Sequence, residues 1–211
     1  INKSKTFVPA GQSTQMIIGA TNETDLDILS KSSSMYQNYN LKRVFYSAYV
    51  PVNKDSNLPT ISLPPLKREN RLYQADWLLR FYNFKVTDIL DSNNPNFNLL
   101  LDPKASWALR NLEQFPKEIN TCSYNELLQI PGIGITGAKK IYSSRKYFKI
   151  TFKDLKNMDI VLKRAKYFIT CNGEYYTSQD MFKRNIIEQS LLLTDLKEPK
   201  KNINQLSLFN D

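Results

Sequence analysis

The hydrophobic pattern of the first 90 residues alternates between short apolar runs and longer amphipathic stretches. Residues 13–20 and 41–52 are rich in β-branched and aromatic side chains and predict strands, whereas residues 24–39 and 67–84 carry apolar positions at helical spacing. The order strand, helix, strand, helix is typical of a parallel α/β layer or barrel. Because two such units cannot close a barrel, we predict part of such a layer or barrel over residues 1–95.

The pattern changes after the polar turn at residues 91–96, where short helices with short connections follow. Asp102 before Pro103 predicts the N-cap and the first position of one of these helices. We expect an all-helical domain over residues 96–172 and a C-terminal extension over residues 173–211.

Two further helices are predicted on either side of residues 131–134, Pro-Gly-Ile-Gly. The first begins at Ser123 or Thr121, and Glu126 stands three residues after Ser123, the spacing of a capping box. The second covers residues 135–146. We expect its apolar side chains to pack inward and its basic ones to stay exposed. The inward set is Ala138, Ile141 and Tyr142, and the exposed set is Lys139, Lys140 and Arg145.

The two glycines of this turn permit a tight hairpin and let another backbone approach closely. Backbone amides at the start of the second helix would face outward at the positive end of the helix dipole, ready for a phosphate oxygen. Nothing in the arrangement contacts a base, so binding is expected to be independent of sequence and sensitive to salt. We expect valine at Gly132 or Gly134 to weaken binding with little change in fold.

Two other interpretations of the turn stay open. Gly132, Gly134 and Gly137 match the spacing GxGxxG of a dinucleotide-binding loop. Such a loop follows a β-strand, whereas the segment before Gly132 has the features of a capped helix closed by proline. The turn could also be purely structural, with no ligand.

The charge of the chain is concentrated around the same turn. Residues 132–170 carry 10 basic and 2 acidic side chains, which is +8 of the formal net charge of +9. A charged stretch is often only a solvated face. Beside the glycine turn, it instead favours a polyanionic partner, with nucleic acid as the leading candidate.

Some chemistry is excluded by the residues that are missing. The sequence has no histidine, which removes Ser/His/Asp and Cys/His catalysis and histidine metal sites. Cys122 and Cys171 lie far apart without CxxC spacing, so we predict no metal site, no disulfide framework and a cytoplasmic location. No apolar run approaches the length of a membrane span, and we expect no membrane partner. The start at Ile1 suggests a fragment or a processed product.

Residues 119–141 closely resemble the helix-hairpin-helix DNA-binding motif, in the form found in bacterial competence DNA receptors. Residues 152–169 resemble a second copy, with Asp159 in the place of Gly132, Ile160 of Ile133 and Ala165 of Ala138. This copy lacks both glycines, so we expect it to complete the core of a paired unit. The DNA-binding residues implied by the motif and its copy are Gly132, Ile133, Gly134, Thr136, Lys139, Lys140, Arg145, Lys163 and Arg164.

The helix-hairpin-helix DNA glycosylases are one enzymatic family with this motif. They use a catalytic aspartate in a loop after the motif and, in their lyase members, a lysine just after the second glycine. The corresponding places here hold Asp154 inside residues 151–155 and Thr136. Neither role is filled, which disfavours a glycosylase.

Most of residues 5–172 resemble the C-terminal half of bacterial radical SAM proteins of DNA modification or repair, and residues 71–82, RLYQADWLLRFY, are the most specific stretch. The resemblance implies that residues 1–95 form a partial (β/α) barrel of radical SAM type. It also implies that Ile17, Gly19 and Glu23 approximate the GxIxGxxE strand that supports the adenosyl group. The sequence lacks the first glycine of that pattern and has one extra residue before Glu23. An ordinary buried strand is the alternative.

Radical SAM chemistry requires three cysteine thiolates in a CxxxCxxC loop, and this sequence has no such loop. The expectation is therefore that this chain alone holds no cofactor. The resemblance implies that the full-length protein binds a [4Fe–4S] cluster and S-adenosylmethionine, with the cluster half upstream of Ile1.

The last residues resemble the QLxLF peptide by which bacterial DNA repair and replication proteins dock on the sliding clamp. The residues that would bind the clamp are Gln205, Leu206, Leu208 and Phe209. The alternative is an apolar stretch at a frayed end with no partner.

Two functions therefore follow from the sequence. The first is the DNA-binding C-terminal region of a radical SAM enzyme of DNA modification or repair. The second is a non-catalytic, clamp-tethered DNA-binding module. The sequence upstream of Ile1 would distinguish them, because a CxxxCxxC loop there supports the enzyme.

Overall fold

The computed structural model describes residues 10–52, 58–59, 63–176, 178 and 181–196. Residues 195 and 196 are described by their backbone alone. The fold is a mixture of helices and small sheets. Its first part consists of β1 (Ser13–Ile18), α1 (Asp25–Tyr39), β2 (Arg43–Ala48) and α2 (Leu66–Phe81). The predicted order strand, helix, strand, helix is confirmed here.

Strands β1 and β2 are parallel, with Ser13 opposite Arg43 and Ile18 opposite Ala48. Side chains on one face of this sheet are buried against α1 and α2, because the strands alternate with period 2. Ile17 and Phe45 lie on the other face and are 48% and 40% exposed. The sheet formed by the described residues has two strands, so a larger barrel remains a prediction.

Helix α2 carries charged side chains into the core of this part, each with a partner. Asp76 is 1% exposed and accepts hydrogen bonds from the Nε of Arg80 at 2.9 Å and from the hydroxyl of Tyr36. Burial raises the pKa of Tyr36, which keeps its hydroxyl a donor. In the first turn of α2, Arg68 binds the buried carboxylate of Asp25 on α1. The Tyr36–Asp76 and Arg68–Asp25 contacts join the two helices.

The second part is built from short helices and a small sheet. Its elements are α3 (Val86–Ile89), α4 (Pro103–Arg110), a 3₁₀ turn at Leu112–Gln114, β3 (Lys117–Glu118), α5 (Tyr124–Gln129), α6 (Ile135–Ser144), α7 (Phe152–Asn157), α8 (Leu162–Ala165), β4 (Ile169–Cys171), β5 (Glu174–Tyr175) and α9 (Arg184–Leu196).

The expectation of an all-helical second domain is corrected by three short strands. Strand β3 pairs with β4 in parallel, and β4 pairs with β5 antiparallel. Two- and three-residue strands are too short to show a period of 2 in the sequence, and β3 and β4 meet only because the hairpins between them fold back. The proposed boundary between residues 172 and 173 falls inside the β4–β5 turn.

The predicted helix starts are confirmed. Asp102 is the N-cap of α4, and its Oδ1 accepts a hydrogen bond from the backbone nitrogen of Ala105 at 2.9 Å. Ser123, not Thr121, caps α5, and Ser123 and Glu126 form the capping box. The ammonium of Lys117 donates to Glu126 at 2.8 Å and holds the pKa of that carboxyl at about 2.

A chain of edge-to-face aromatic rings runs through the second core. The ring of Trp107 on α4 contacts Phe84 and Phe115, and Phe115 contacts Phe168 just before β4. Helix α9 packs on α4 and α8 and adds the fully buried Ile187 and Leu191. The core of the second part therefore extends beyond residue 172. Among the described residues, the helices are too short or too polar to cross a membrane.

Candidate nucleic-acid interface

The first hairpin, residues 124–144, consists of α5, a turn and α6. Ile130 ends α5 with extended backbone, and Gly132 has φ +87°, a left-handed conformation that favours glycine. Ile133 turns inward and is 1% exposed, and its backbone nitrogen donates to Ile130 at 3.1 Å. The segment before the glycines is a capped helix, as predicted, whereas a dinucleotide loop would require a strand there.

The two turn glycines have different surroundings. A Cβ at Gly132 would lie 3.0 Å from the backbone nitrogen of Ala165 and 3.3 Å from the carbonyl oxygen of Val161. Gly132 therefore lets the second hairpin approach, and valine there would disturb the fold. The expectation of little change in fold is wrong for Gly132, because the close neighbour is protein backbone.

Gly134 is the N-cap of the ten-residue helix α6, with φ −94° and ψ 179°. No side chain caps this helix start, and the first amides of any helix lack intrahelical acceptors. The nearest heavy atom to a Cβ at Gly134 would be the hydroxyl oxygen of Tyr82 at 3.5 Å, which is ordinary contact. Thr136 in the first turn is exposed. This helix start can accept an anion.

The two lysines of α6 are exposed, as predicted, but they differ in their contacts. The Nζ of Lys140 donates to the carbonyl oxygen of Met158 at 2.8 Å, so Lys140 also connects the two hairpins. Substitution of Lys139 therefore tests a charge contact with a ligand more directly than substitution of Lys140, which would also remove the contact between the hairpins. Ala138 and Ile141 are fully buried as expected. Tyr142 was expected inside and is 39% exposed, because it packs against Tyr124 at the surface.

The expectation that Arg145 stays exposed is wrong. Its guanidinium donates to the carbonyl oxygens of Ile119, at 2.9 Å, and Cys122. These carbonyls belong to the segment that leads into α5, and the guanidinium also lies 4.6 Å from the centre of the Tyr142 ring. Arg145 thus closes the first hairpin, and a contact of Arg145 with DNA remains only a prediction.

The second hairpin, residues 152–165, reproduces the geometry of the first. Its turn residue Asp159 has φ +59°, like Gly132 in the first turn. Thr151 and Asp154 form a capping box at the start of α7. The inward-facing residues that the alignment matches are buried in both hairpins. They are Ile133 with Ile160 and Ala138 with Ala165. The predicted alignment of the two segments is therefore consistent with their structures.

The two basic residues predicted on the second hairpin lie in different environments. Lys163 is exposed, and Arg164 is half-buried. The Nη1 of Arg164 donates to Oδ2 of Asp102 at 2.9 Å, which joins α8 to the start of α4. Arg164 is therefore held by an ion pair at the edge of the turn region.

Lys104 is a residue at the turn that sequence reasoning missed. It is 8% exposed, and its Nζ donates to the carbonyl oxygen of Ile133 at 2.7 Å and lies 4.8 Å above the ring of Tyr82. Burial lowers the pKa of this lysine to about 7, although the charge of Asp102 opposes the shift. The only sequence signal is its position in the first turn of α4, where the helix dipole disfavours a cation.

An interhelix cleft opens beside the first turn, with a volume of about 410 Å³. Its wall on one side is α2, and its other walls are the start of α4 and the glycine turn. Residues lining this interhelix cleft include Asn70, Gln74, Trp77, Lys104, Gly132 and Gly134.

The residues predicted to hold the adenosyl group lie at the carboxyl end of β1. Ile17 is on the exposed face of the sheet, Gly19 has φ +87° beside Pro65, and Glu23 lies 3.6 Å from Lys31. Glu23 also lines a separate cavity of about 640 Å³. The carboxyl ends of parallel strands are common ligand sites, but a role for these residues stays a prediction.

The cysteines do not fit an iron–sulfur cluster. Cys122 and Cys171 are both buried, burial raises their thiol pKa values to about 11 and 12, and two cysteines cannot supply the three thiolates of a CxxxCxxC loop. Within the described ranges, no three His, Cys, Asp or Glu side chains group as metal ligands. The predicted clamp-binding residues Gln205, Leu206, Leu208 and Phe209 lie outside the described residues.

Comparison of the chain with models of protein families, with curated proteins and with solved structures found no match. The interpretation of the glycine turn therefore rests on its geometry and its charge.

Proposed function

We propose that this chain is a DNA-binding region whose first hairpin holds backbone phosphates without regard to sequence. The phosphate oxygen accepts hydrogen bonds from the backbone amides at the start of α6. The exposed Lys139 adds charge about one turn further along. Arg145 and Arg164 serve the fold around this contact, since both guanidinium groups donate to protein acceptors.

The observation that carries this proposal is the open start of α6. Gly134 provides no capping side chain, whereas Asp102, Ser123 and Thr151 cap α4, α5 and α7 with their own oxygens. A helix start without a side-chain cap leaves its amides for an outside acceptor. The +8 charge of residues 132–170 favours a polyanion as the source of that acceptor.

The second hairpin is proposed as a packing partner rather than as a second phosphate contact. Its turn residue Asp159 is exposed and negatively charged, and a phosphate there would meet a carboxylate. Its helix α8 has only four residues, so its dipole is small. DNA would therefore contact the first turn and reach the second hairpin through Lys163.

We further propose, from the resemblance of α2 and the first hairpin, that this region belongs to a radical SAM enzyme of DNA modification or repair. The parallel β1–α1–β2 unit and the position of Gly19 and Glu23 at the end of β1 support this. Because the two cysteines of this chain do not fit a cluster, no chemical step is assigned to its residues. A clamp-tethered module without catalysis is the alternative, and a pull-down of the bacterial clamp by residues 204–211 tests the tether.

Capping variants test the phosphate contact. Gly134→Ser supplies an oxygen that competes with DNA for the amides of α6, and we expect it to weaken binding to two duplexes of unrelated sequence equally while the helix is stabilised. Val161→Ser is the matched control, since Val161 is the N-cap of α8 and is 59% exposed. It should leave binding unchanged. Equal effects of both variants, or none from Gly134→Ser, would contradict the proposal.

A further inference from the structure

The wall of the interhelix cleft formed by α2 presents an aromatic ring and two amides on one helical face. Asn70, Gln74 and Trp77 are spaced by four and three residues, which places them side by side along the helix. Trp77 is 48% exposed, an unusual position for the largest apolar side chain. The oxygen of Gln74 accepts from Nη1 of Arg71 at 2.8 Å, so the face offers a ligand with a flat ring and polar edges the Trp77 ring, the Asn70 amide and the nitrogen of Gln74.

This wall is held in place before any ligand arrives. The Trp77 ring lies 4.3 Å from the ring of Phe81, centre to centre. The hydroxyl of Tyr73, which also lines the cleft, donates to the backbone oxygen of Tyr46 at 2.9 Å and accepts from its nitrogen at 3.0 Å. Such supports reduce the ordering cost of binding.

The opposite wall of the cleft is the proposed phosphate-binding turn. Gly132, Ile133 and Gly134 all line the cleft, and the side-chain nitrogen of Lys104 donates to the carbonyl oxygen of Ile133. The start of α6 at Gly134 is therefore also part of the cleft wall. The volume of about 410 Å³ lies within the usual range for small-ligand sites, roughly 300–1,000 Å³.

We propose that the interhelix cleft receives an unpaired nucleobase of the DNA strand that the first hairpin holds. The base stacks on Trp77, while the side-chain amides of Asn70 and Gln74 face its polar edge. This inference rests on the proposed function. It predicts a preference for DNA that offers an unstacked base, because a base paired within a duplex cannot enter a pocket without leaving the stack.

Three probes of equal length test this: a matched duplex, the same duplex with one bulged 2-aminopurine, and the single strand carrying 2-aminopurine. We expect the bulged duplex and the single strand to bind about tenfold more tightly than the matched duplex, from the usual range for base stacking. The fluorescence of 2-aminopurine should fall on binding as the base stacks on the indole.

Variants separate the cleft from the phosphate contact. Trp77→Ala should remove the tenfold preference and the fluorescence change while the matched duplex binds as before, and Trp77→Phe should keep most of both. Asn70→Ala tests the same wall without altering aromatic packing and should reduce the preference. The control is Tyr39→Ala, an aromatic residue of α1 that is 59% exposed.

The outcomes distinguish this inference from the proposed function. Salt-sensitive binding without any preference for the bulged duplex would overturn the cleft proposal alone. If Trp77→Ala weakened the matched duplex and the bulged duplex equally, the cleft proposal would also fall. Binding of free dAMP as tight as that of the bulged duplex would assign the cleft to a small ligand. No binding of any DNA would overturn both proposals.

Discussion

The side-chain nitrogen of Lys104 donates a hydrogen bond to the carbonyl oxygen of Ile133 in the glycine turn at 2.7 Å. This bond joins the start of α4 to the tip of the first hairpin, two segments that are 29 residues apart. The bond gives the carbonyl oxygen of Ile133 a donor. It also orients the backbone at Ile133, which leads through Gly134 to the first amides of α6. A buried lysine therefore positions the candidate phosphate contact.

The first prediction concerns the pH dependence of stability. Burial lowers the pKa of Lys104 from 10.5 to about 7, so between these two pH values the unfolded chain binds a proton that the folded chain lacks. The free energy of unfolding should therefore rise with pH through this window. Below pH 7 both states bind the Lys104 proton, so Lys104 should not make the free energy of unfolding depend on pH there. Lys104→Met should flatten the rise in urea unfolding measured from pH 7 to 10. Lys85→Met, at an exposed position, is the control and should keep the slope.

The second prediction concerns the two carboxylate oxygens of Asp102. One caps α4 through Ala105, and the other binds Arg164 at 2.9 Å. Asp102→Ser retains a capping oxygen and loses the ion pair, whereas Asp102→Ala loses both. We expect the alanine variant to be less stable than the serine variant by about 1 kcal/mol, the usual value of an N-cap. Equal stabilities in thermal unfolding would show that the cap contributes nothing.

The third prediction compares the two turn glycines. Gly132 has φ +87° and a backbone nitrogen 3.0 Å from the site of a Cβ, so Gly132→Ala should destabilise the fold by roughly 1–2 kcal/mol or more. Gly134 has φ −94°, and a Cβ there would make only an ordinary contact with the Tyr82 hydroxyl, so Gly134→Ala should cost less, about 0.5–1 kcal/mol, because alanine is a poorer N-cap than glycine. Chemical denaturation measures both. A neutral Gly132→Ala would contradict the packing of the two hairpins.

The fourth prediction concerns Asn120, which connects three separate segments. Its side chain donates to Glu118, to the carbonyl oxygen of Ile150 and to Asn172, and accepts from the backbone nitrogen of Ile150 at 2.8 Å. Asn120→Ala removes the acceptor of the Ile150 backbone nitrogen, whereas Glu118 and the carbonyl oxygen of Ile150 keep Gly173 and Asn172 as donors, and it should cost about 1–3 kcal/mol.

Amide hydrogen exchange provides the specific readout for Asn120→Ala, because the Ile150 amide should exchange faster. Asn38→Ala, at an exposed position of α1, is the control. Unchanged protection of Ile150 would contradict the connecting role of Asn120.

Local signals in the sequence were sufficient for most of the helices. Capping residues, prolines and glycines act on their own neighbours. The sequence therefore predicts the start of α4 at Asp102 correctly and limits the start of α5 to Thr121 or Ser123, of which Ser123 is the cap. The repeat of the hairpin was also visible, and the left-handed Asp159 supports its alignment with Gly132.

Contacts between distant segments could not be predicted in this way. Lys104 and Arg145 look like surface residues of amphipathic helices, and only the fold brings backbone carbonyls to their side chains. The small sheet formed by β3, β4 and β5 and the docking of α9 depend on the same long-range packing. The interhelix cleft was not predicted either, because its walls come from three segments that are distant in the sequence, at residues 70–82, 102–104 and 132–134.

The salt dependence of DNA binding tests the central claim most directly. For the wild-type chain, the logarithm of the association constant for a matched duplex should fall linearly with the logarithm of salt concentration, by about 0.9 for each phosphate contact. Lys139→Gln should reduce this slope by about 1, equally for duplexes of unrelated sequence. Lys31→Gln, which removes the same charge from an exposed position on α1, should leave the slope unchanged. A slope that is the same in all three proteins would contradict the phosphate contact at the first hairpin.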